Sequence, residues 1–354
     1  MYTSKILKVT IVGATGKTGK SLALTLKQSS IIDELAVYDT NPIAGLLLEL
    51  SHIDSRCKTI CCNMESDKRR LEHALTGAKV VVITLEYQYL YEEAHFLKML
   101  IPQIVNYCPQ ALVALVSRST NCLLPMMFEL YKKLGIYEHG RLFGITNLYS
   151  IRANNCASKT IGISPEFISV PLIGGCSTKT CIPVFSHTRP CANFSFEETL
   201  GMTQIMQTAD YRLAQAYNDT STNIVESSSV CTGFAAARFC ISLCKAVRSE
   251  SGIFEYAYVR CCLIPELKYM TTLMELGPHG LQKYMGLPEL TNQECTSLFR
   301  VIPEIRKSIA LGESGVGDAI SGRYIGVGRI ARNDTVNSDK SKWQARCGGG
   351  ESER

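Results

Sequence analysis

VTIVGATGKTGKSLALTL, residues 9–26, decides the fold. It opens on a β-branched run and closes on leucines at helical spacing, so it reads as a strand that turns into an amphipathic helix. Between the two lie Gly13, Gly16 and Gly19. Glycines allow a tight turn and a close backbone approach to a pyrophosphate, and the first amides of the helix attract the anion. The next apolar run, LAVYD at 35–39, ends in Asp39. An acid there accepts hydrogen bonds from ribose hydroxyls, which favours NAD over its phosphorylated form. Strand, glycines, helix, strand and acid in that order point to a dinucleotide site built on Gly13, Gly16, Gly19 and Asp39. A turn kept for packing alone is the alternative, so present-day NAD binding stays open.

Outward from this unit the alternation continues. AKVVVITL (78–85), QALVALVS (110–117) and RLFGITN (141–147) read as strands, and GLLLELSHID (45–54) and LLPMMFELYKKLG (123–135) as helices. Strands alternating with helices imply a parallel sheet covered on both faces. Past residue 150 the pattern changes. SVPLIGGCSTKTCIPVFS (169–186) reads as two strands around a turn, 197–217 and 230–248 as long helices, GIFEYAYVRCC and LKYMTTLMELGPHG as antiparallel strands, and 292–313 as a closing helix. The expected organisation is an α/β dinucleotide-binding domain over 1–148, a mixed α+β domain over 149–313, and a mobile tail over 314–354 that holds the single tryptophan, Trp343.

Composition narrows the function classes. Net charge is +5 with the basic residues scattered, which gives no nucleic-acid footprint. The 16 cysteines include no CxxC pair, and a chain of 354 residues needs no disulfide staples, so they read as small buried hydrophobes of a reducing compartment. A zinc site at Cys57, Cys61 and Cys62 lacks partners at ligand spacing. No signal peptide or membrane-spanning run is evident, so the expected location is cytoplasmic, with mitochondrial association left open.

The chain resembles NAD-dependent malate dehydrogenase of the mitochondrial and bacterial type, in the lactate/malate dehydrogenase superfamily. The resemblance runs from residue 7 to residue 313 through the glycine stretch, LAVYD, LELSHID, GAKVVVI, RLFGITNL, IRANN, VPLIGG, KTCIPVFS, GFAAARF and IPEIRKSIALGE. It implies a Rossmann domain, a mixed catalytic domain, NAD as cofactor and a homodimer. It also implies a catalytic His directly after IGG, an Asp that orients it, mobile-loop arginines that hold substrate carboxylates, and an Asn-Pro pair near the nicotinamide.

Residue by residue, most of that set is missing. Cys176 stands at the His position and Tyr149 at the Asp position. The substrate loop reads TLEYQYLYEEAHFL (84–97), without arginine and with Glu86, Glu92 and Glu93, which would repel a dicarboxylate. Arg118-Ser119 replaces Asn-Pro, although Asn121 survives as a cofactor-side residue, and the fixed substrate arginine is kept as Arg152. A thiol is a poor proton acceptor near neutral pH, and loss of a general base alone costs about 10²–10⁴ in rate.

Two readings of Cys176 follow. It fills the volume the His left, or it is a nucleophile activated by Lys179 or His187. Arg118 and Arg152 are candidates for a new anion site, unless Arg118 pairs with a loop glutamate such as Glu86. At the level of function, the first expectation is a catalytically inactive malate dehydrogenase homologue with a structural or regulatory role, a homodimer or a member of a protein complex. The alternative is a working NAD oxidoreductase on malate or another 2-hydroxy acid.

Overall fold

A computed structural model describes residues 6–60, 69–136, 138–216 and 229–315 of the chain. Its first half runs β1 (Lys8–Val12), α1 (Lys17–Lys27), β2 (Glu34–Tyr38), α2 (Ala44–Ser51), β3 (Lys58–Ile60), α3 (Arg70–Leu75), β4 (Val80–Thr84), α4 (Leu90–Tyr107), β5 (Leu112–Val116), α5 (Thr120–Lys133) and β6 (Leu142–Ile145). These six strands are parallel, in the order β3-β2-β1-β4-β5-β6. Every residue of β1 and β4 is buried, as an apolar strand covered on both faces must be. The strand order reverses between β1 and β4, which opens a cleft at their carboxyl ends, and such switch points are where open α/β sheets bind ligands.

The second half runs α6 (Asn147–Ile161), β7 (Leu172–Gly174), β8 (Cys181–Pro183), α7 (Phe196–Ala216), α8 (Ser229–Val247), β9 (Ile253–Ile264), β10 (Leu267–Gly277), β11 (Gly280–Tyr284) and α9 (Asn292–Glu313). Strand β9 pairs antiparallel with β6, so one sheet continues from the dinucleotide-type half into the mixed half. The fold is therefore a doubly wound parallel sheet followed by a mixed α+β unit.

Helix α8 is long and apolar enough to cross a membrane by composition. Here it is a core helix. Ala235, Ala236, Ala237, Phe239, Cys240, Leu243 and Cys244 are fully buried, and Gly233 lets α8 press so close to α1 that a Cβ there would meet Ser21 at 2.6 Å.

Five elements add to those expected from sequence, among them the short β11 that pairs with β10. Strand β3 and helix α3 are too short to show a period. Helix α6 begins in the segment TNLYSIRAN, whose polar residues hide its apolar face. Helix α4 begins at Leu90, inside the stretch expected to be the substrate loop. Glu92 and Glu93 therefore sit in the first turn of a helix, and of the three acids only Glu86 lies in the connection between β4 and α4. The expected tail with Trp343 lies outside the described residues apart from its first two positions, as do Cys61 and Cys62.

Candidate functional site

The glycine turn forms as its sequence demands. Gly13 has a φ of +86°, and a Cβ there would meet the Thr84 carbonyl oxygen at 2.1 Å. Gly19 packs the start of α1 against the turn, with a Cβ 2.2 Å from the Gly13 carbonyl oxygen. Asp39 closes β2, as expected. Its Oδ2 accepts hydrogen bonds from the Thr15 amide at 2.9 Å and the Thr15 hydroxyl at 2.7 Å, and its Oδ1 accepts from the Asn41 amide at 3.1 Å. A cavity of about 370 Å³ opens here, bounded by Gly13, Thr15, Asp39, Asn41, Tyr87 and Phe96 among others.

Gly16 differs. The notch it leaves is filled by Glu86: a Cβ on Gly16 would lie 2.5 Å from Glu86 Oε2. The Glu86 carboxylate accepts from the Thr18 amide at 2.7 Å and the Lys17 amide at 3.1 Å. These are first-turn amides of α1, the groups with no partner inside the helix and with the positive end of its dipole. The seat that the glycine loop shapes for a pyrophosphate thus holds a carboxylate of this chain. A dinucleotide does not fit the residues as arranged.

Beyond Glu86 the cleft narrows to a cavity of about 80 Å³, lined by Glu86, Arg118, Tyr149, Cys176 and Asp210 among others. Cys176 sits on the turn between β7 and β8, where the sequence placed it. Its side chain is 2% exposed, and its thiol lies 3.3 Å from the Ile145 carbonyl as a donor. Burial pushes this thiol up to about 12. Burial also raises the Tyr149 phenol well above its ordinary value, with the adjacent Cys176 adding to the shift. At neutral pH the station of the expected His–Asp pair therefore holds a protonated thiol beside a protonated phenol, and neither accepts a proton. The burial of Cys176 and its contact with the Ile145 carbonyl agree with the volume-filling reading of this residue rather than the nucleophile reading.

Asn121 is buried and fully engaged. Its Oδ1 accepts from the Cys176 amide at 2.6 Å, and its Nδ2 donates to the Thr180 hydroxyl at 3.0 Å. It fixes the β7–β8 turn.

Arg152, on α6, donates to Asp210 of α7 at 2.6 Å, and Asp210 also accepts from the Thr178 hydroxyl at 2.7 Å. Asp210, and not Arg152, lines the small cavity, so Arg118 and Arg152 do not face one another across it. Arg118 is exposed, and among the described residues it forms no ion pair within 4 Å. Its charge acts on Glu93, which is buried beneath Ser117 and accepts that hydroxyl at 2.9 Å. Burial pushes the Glu93 carboxyl up to about 7, against the lowering effect of the Ser117 hydroxyl and Arg118. Sequence reasoning missed Asp210, which sits mid-helix with no local pattern to mark it. Among the described residues no three His, Cys, Asp or Glu side chains gather as metal ligands.

Comparison with known proteins places this geometry. Residues 7–144 match the family model for the lactate/malate dehydrogenase NAD binding domain, and residues 146–316 match that for the lactate/malate dehydrogenase alpha/beta C-terminal domain. The mitochondrial malate dehydrogenase of Rattus norvegicus is 30% identical over 320 residues, covering 87% of this chain and 91% of the relative. The chain belongs to the lactate/malate dehydrogenase superfamily. The mitochondrial malate dehydrogenase of Caenorhabditis elegans is also 30% identical over 320 residues, covering 88% of this chain and 91% of its own. Among solved structures, the malate dehydrogenase from Picrophilus torridus superposes with a TM-score of 0.71 at 17% identity, covering 88% of this chain and 99% of that one. The lactate dehydrogenase from Cryptosporidium parvum, solved with lactic acid and nicotinamide adenine dinucleotide, superposes with a TM-score of 0.70, covering 87% and 98%. At 17% identity these two carry the fold alone.

Proposed function

We infer that this superfamily member is a catalytically inactive relative of malate dehydrogenase that serves a structural or regulatory role. One observation carries the reading: the expected position of the proton-transferring pair is taken by the buried Cys176 and the partly buried Tyr149, a thiol and a phenol both protonated at neutral pH. Hydride transfer between a 2-hydroxy acid and NAD requires a group that takes the hydroxyl proton; the two carboxylates that line the cavity at Cys176 are engaged elsewhere, Glu86 by the α1 amides and Asp210 by Arg152 and Thr178. Two further observations agree. Asp210 neutralises Arg152, the one retained substrate arginine. A cavity of about 80 Å³ is also well below the roughly 300 Å³ at which small-molecule sites begin.

The test is consumption of NADH with oxaloacetate and with a panel of other 2-oxo acids and aldehydes. The expected rate is that of the uncatalysed control. Turnover within a few-fold of an authentic malate dehydrogenase overturns the reading.

A homodimer is part of the same proposal. Helices α7 and α8 expose Phe196, Leu200, Tyr211, Val230 and Phe234, an apolar load suited to an interface. Light scattering of the purified chain is expected to give twice the 39.1 kDa chain mass. A monomer at all concentrations overturns this part.

A further inference from the structure

We propose that Glu86 is a tethered anion that occupies the pyrophosphate seat of the glycine turn and excludes dinucleotides from this chain. The inference does not depend on the loss of catalysis. It concerns the cofactor half of the cleft, and an inactive enzyme can keep its cofactor.

Three features of the cleft converge. First, the Glu86 carboxylate takes the Lys17 and Thr18 amides at 3.1 and 2.7 Å, the donors that a phosphate oxygen would need. Second, it fills the Gly16 notch, the space that the missing side chain keeps open for a close approach. Third, Glu86 lines both cavities of the cleft, the one at Asp39 of about 370 Å³ and the one at Cys176 of about 80 Å³. A dinucleotide must span from the acid at the end of β2 to the turn between β7 and β8. Glu86 stands on that path as a partition.

The chemistry reinforces the sterics. A bound pyrophosphate would bring negative charge to within hydrogen-bond distance of a carboxylate and would have to expel it from its two amides. Like charges at that spacing repel strongly in a partly desolvated cleft. The carboxylate is also attached to the chain, so it competes at a high effective concentration against a free ligand.

The reading predicts a gain of function from one substitution. Wild type, Glu86→Ala and Glu86→Gln would be titrated with NADH by fluorescence and by calorimetry, with thermal melts to establish that each is folded. Wild type is expected to show no saturation at millimolar NADH. Glu86→Ala is expected to bind at least 10-fold more tightly, and Glu86→Gln, which keeps the shape and loses the charge, to fall between them. A second readout needs no change of stability. The amide resonances of Lys17 and Thr18 in wild type are expected not to move with added inorganic pyrophosphate, and to move in Glu86→Ala.

Micromolar NADH binding by wild type overturns the proposal. So does a folded Glu86→Ala variant that binds no better than wild type. Binding gained by Glu86→Ala without turnover supports this proposal and leaves the inactive reading intact. Binding gained together with turnover supports this proposal and overturns the inactive reading.

Discussion

At the residue scale, Cys176 stands where the family resemblance leads one to expect a His, and its surroundings matter more than the identity of its side chain. A thiol in an electropositive, open pocket is a nucleophile; the same thiol sealed under Ile145 and Tyr149 is a small apolar plug. Alkylation at neutral pH is therefore expected to modify the exposed Cys191 and Cys262 and to leave Cys176 unlabelled in the folded chain, as read by peptide mass spectrometry. Fast labelling of Cys176 would show a thiolate where the structure holds a thiol. Arg152 makes the same point with charge. Its guanidinium and Asp210 are each largely buried, at 12% and 25% exposed. Asp210→Asn removes the counter-charge from a group that stays in place. It is expected to lower stability by about 2 kcal/mol in denaturant melts, less than the 3–5 kcal/mol of a fully buried pair. Gly13, Gly16, Gly19 and Asp39 were legible in the sequence because their chemistry is local. Asp210 and the seating of Glu86 were not, since each depends on a partner at a sequence distance of 58 to 69 residues.

At the element scale, the deciding change is where α4 starts. The sequence between 84 and 97 has the position of a mobile loop, but Leu90, Ala94 and Leu97 recur at helical spacing and pull most of it into a packed helix. Glu93 is carried under Ser117 as a result. Its carboxyl is raised from about 4.5 to about 7, so between those values the unfolded chain has lost a proton that the folded chain keeps. Stability from this group is complete below pH 4.5, falls as pH rises toward 7, and is then constant. The loss is on the order of 3 kcal/mol as an upper bound. Glu93→Gln is expected to flatten this part of the stability profile and to raise the melting temperature relative to wild type more at pH 8 than at pH 5. A profile identical to wild type would show that Glu93 is charged in the folded state. In the second half of the chain, α9 opens on a capping box. The Thr291 hydroxyl accepts from the Glu294 amide at 3.3 Å and donates to the Glu294 carboxylate at 2.9 Å, and Ser186 donates to the same carboxylate at 2.8 Å. Thr291→Ala is expected to cost about 1 kcal/mol in denaturant melts.

At the scale of the whole molecule, the frame of the superfamily is kept and the proposal of inactivity rests on what fills its cleft. The parallel sheet, the crossover helices and the antiparallel extension through β9 and β10 follow from apolar periodicity and turn glycines, which the chain keeps along its whole described length. The cleft at the switch point is built on that frame, and the chain's own side chains fill it: Glu86 at the amides of the glycine turn, Asp210 on Arg152, and Cys176 with Tyr149 where the family resemblance leads one to expect a His and an Asp. Deuteride transfer puts this most directly to the test. Wild type and Glu86→Ala would be incubated at stoichiometric concentration with NADH deuterated at the transferred position and with oxaloacetate, and malate would be analysed by mass spectrometry. The prediction is no deuterated malate above the protein-free control from either chain, even where the cofactor binds; deuterated malate formed at a catalytic rate would contradict it.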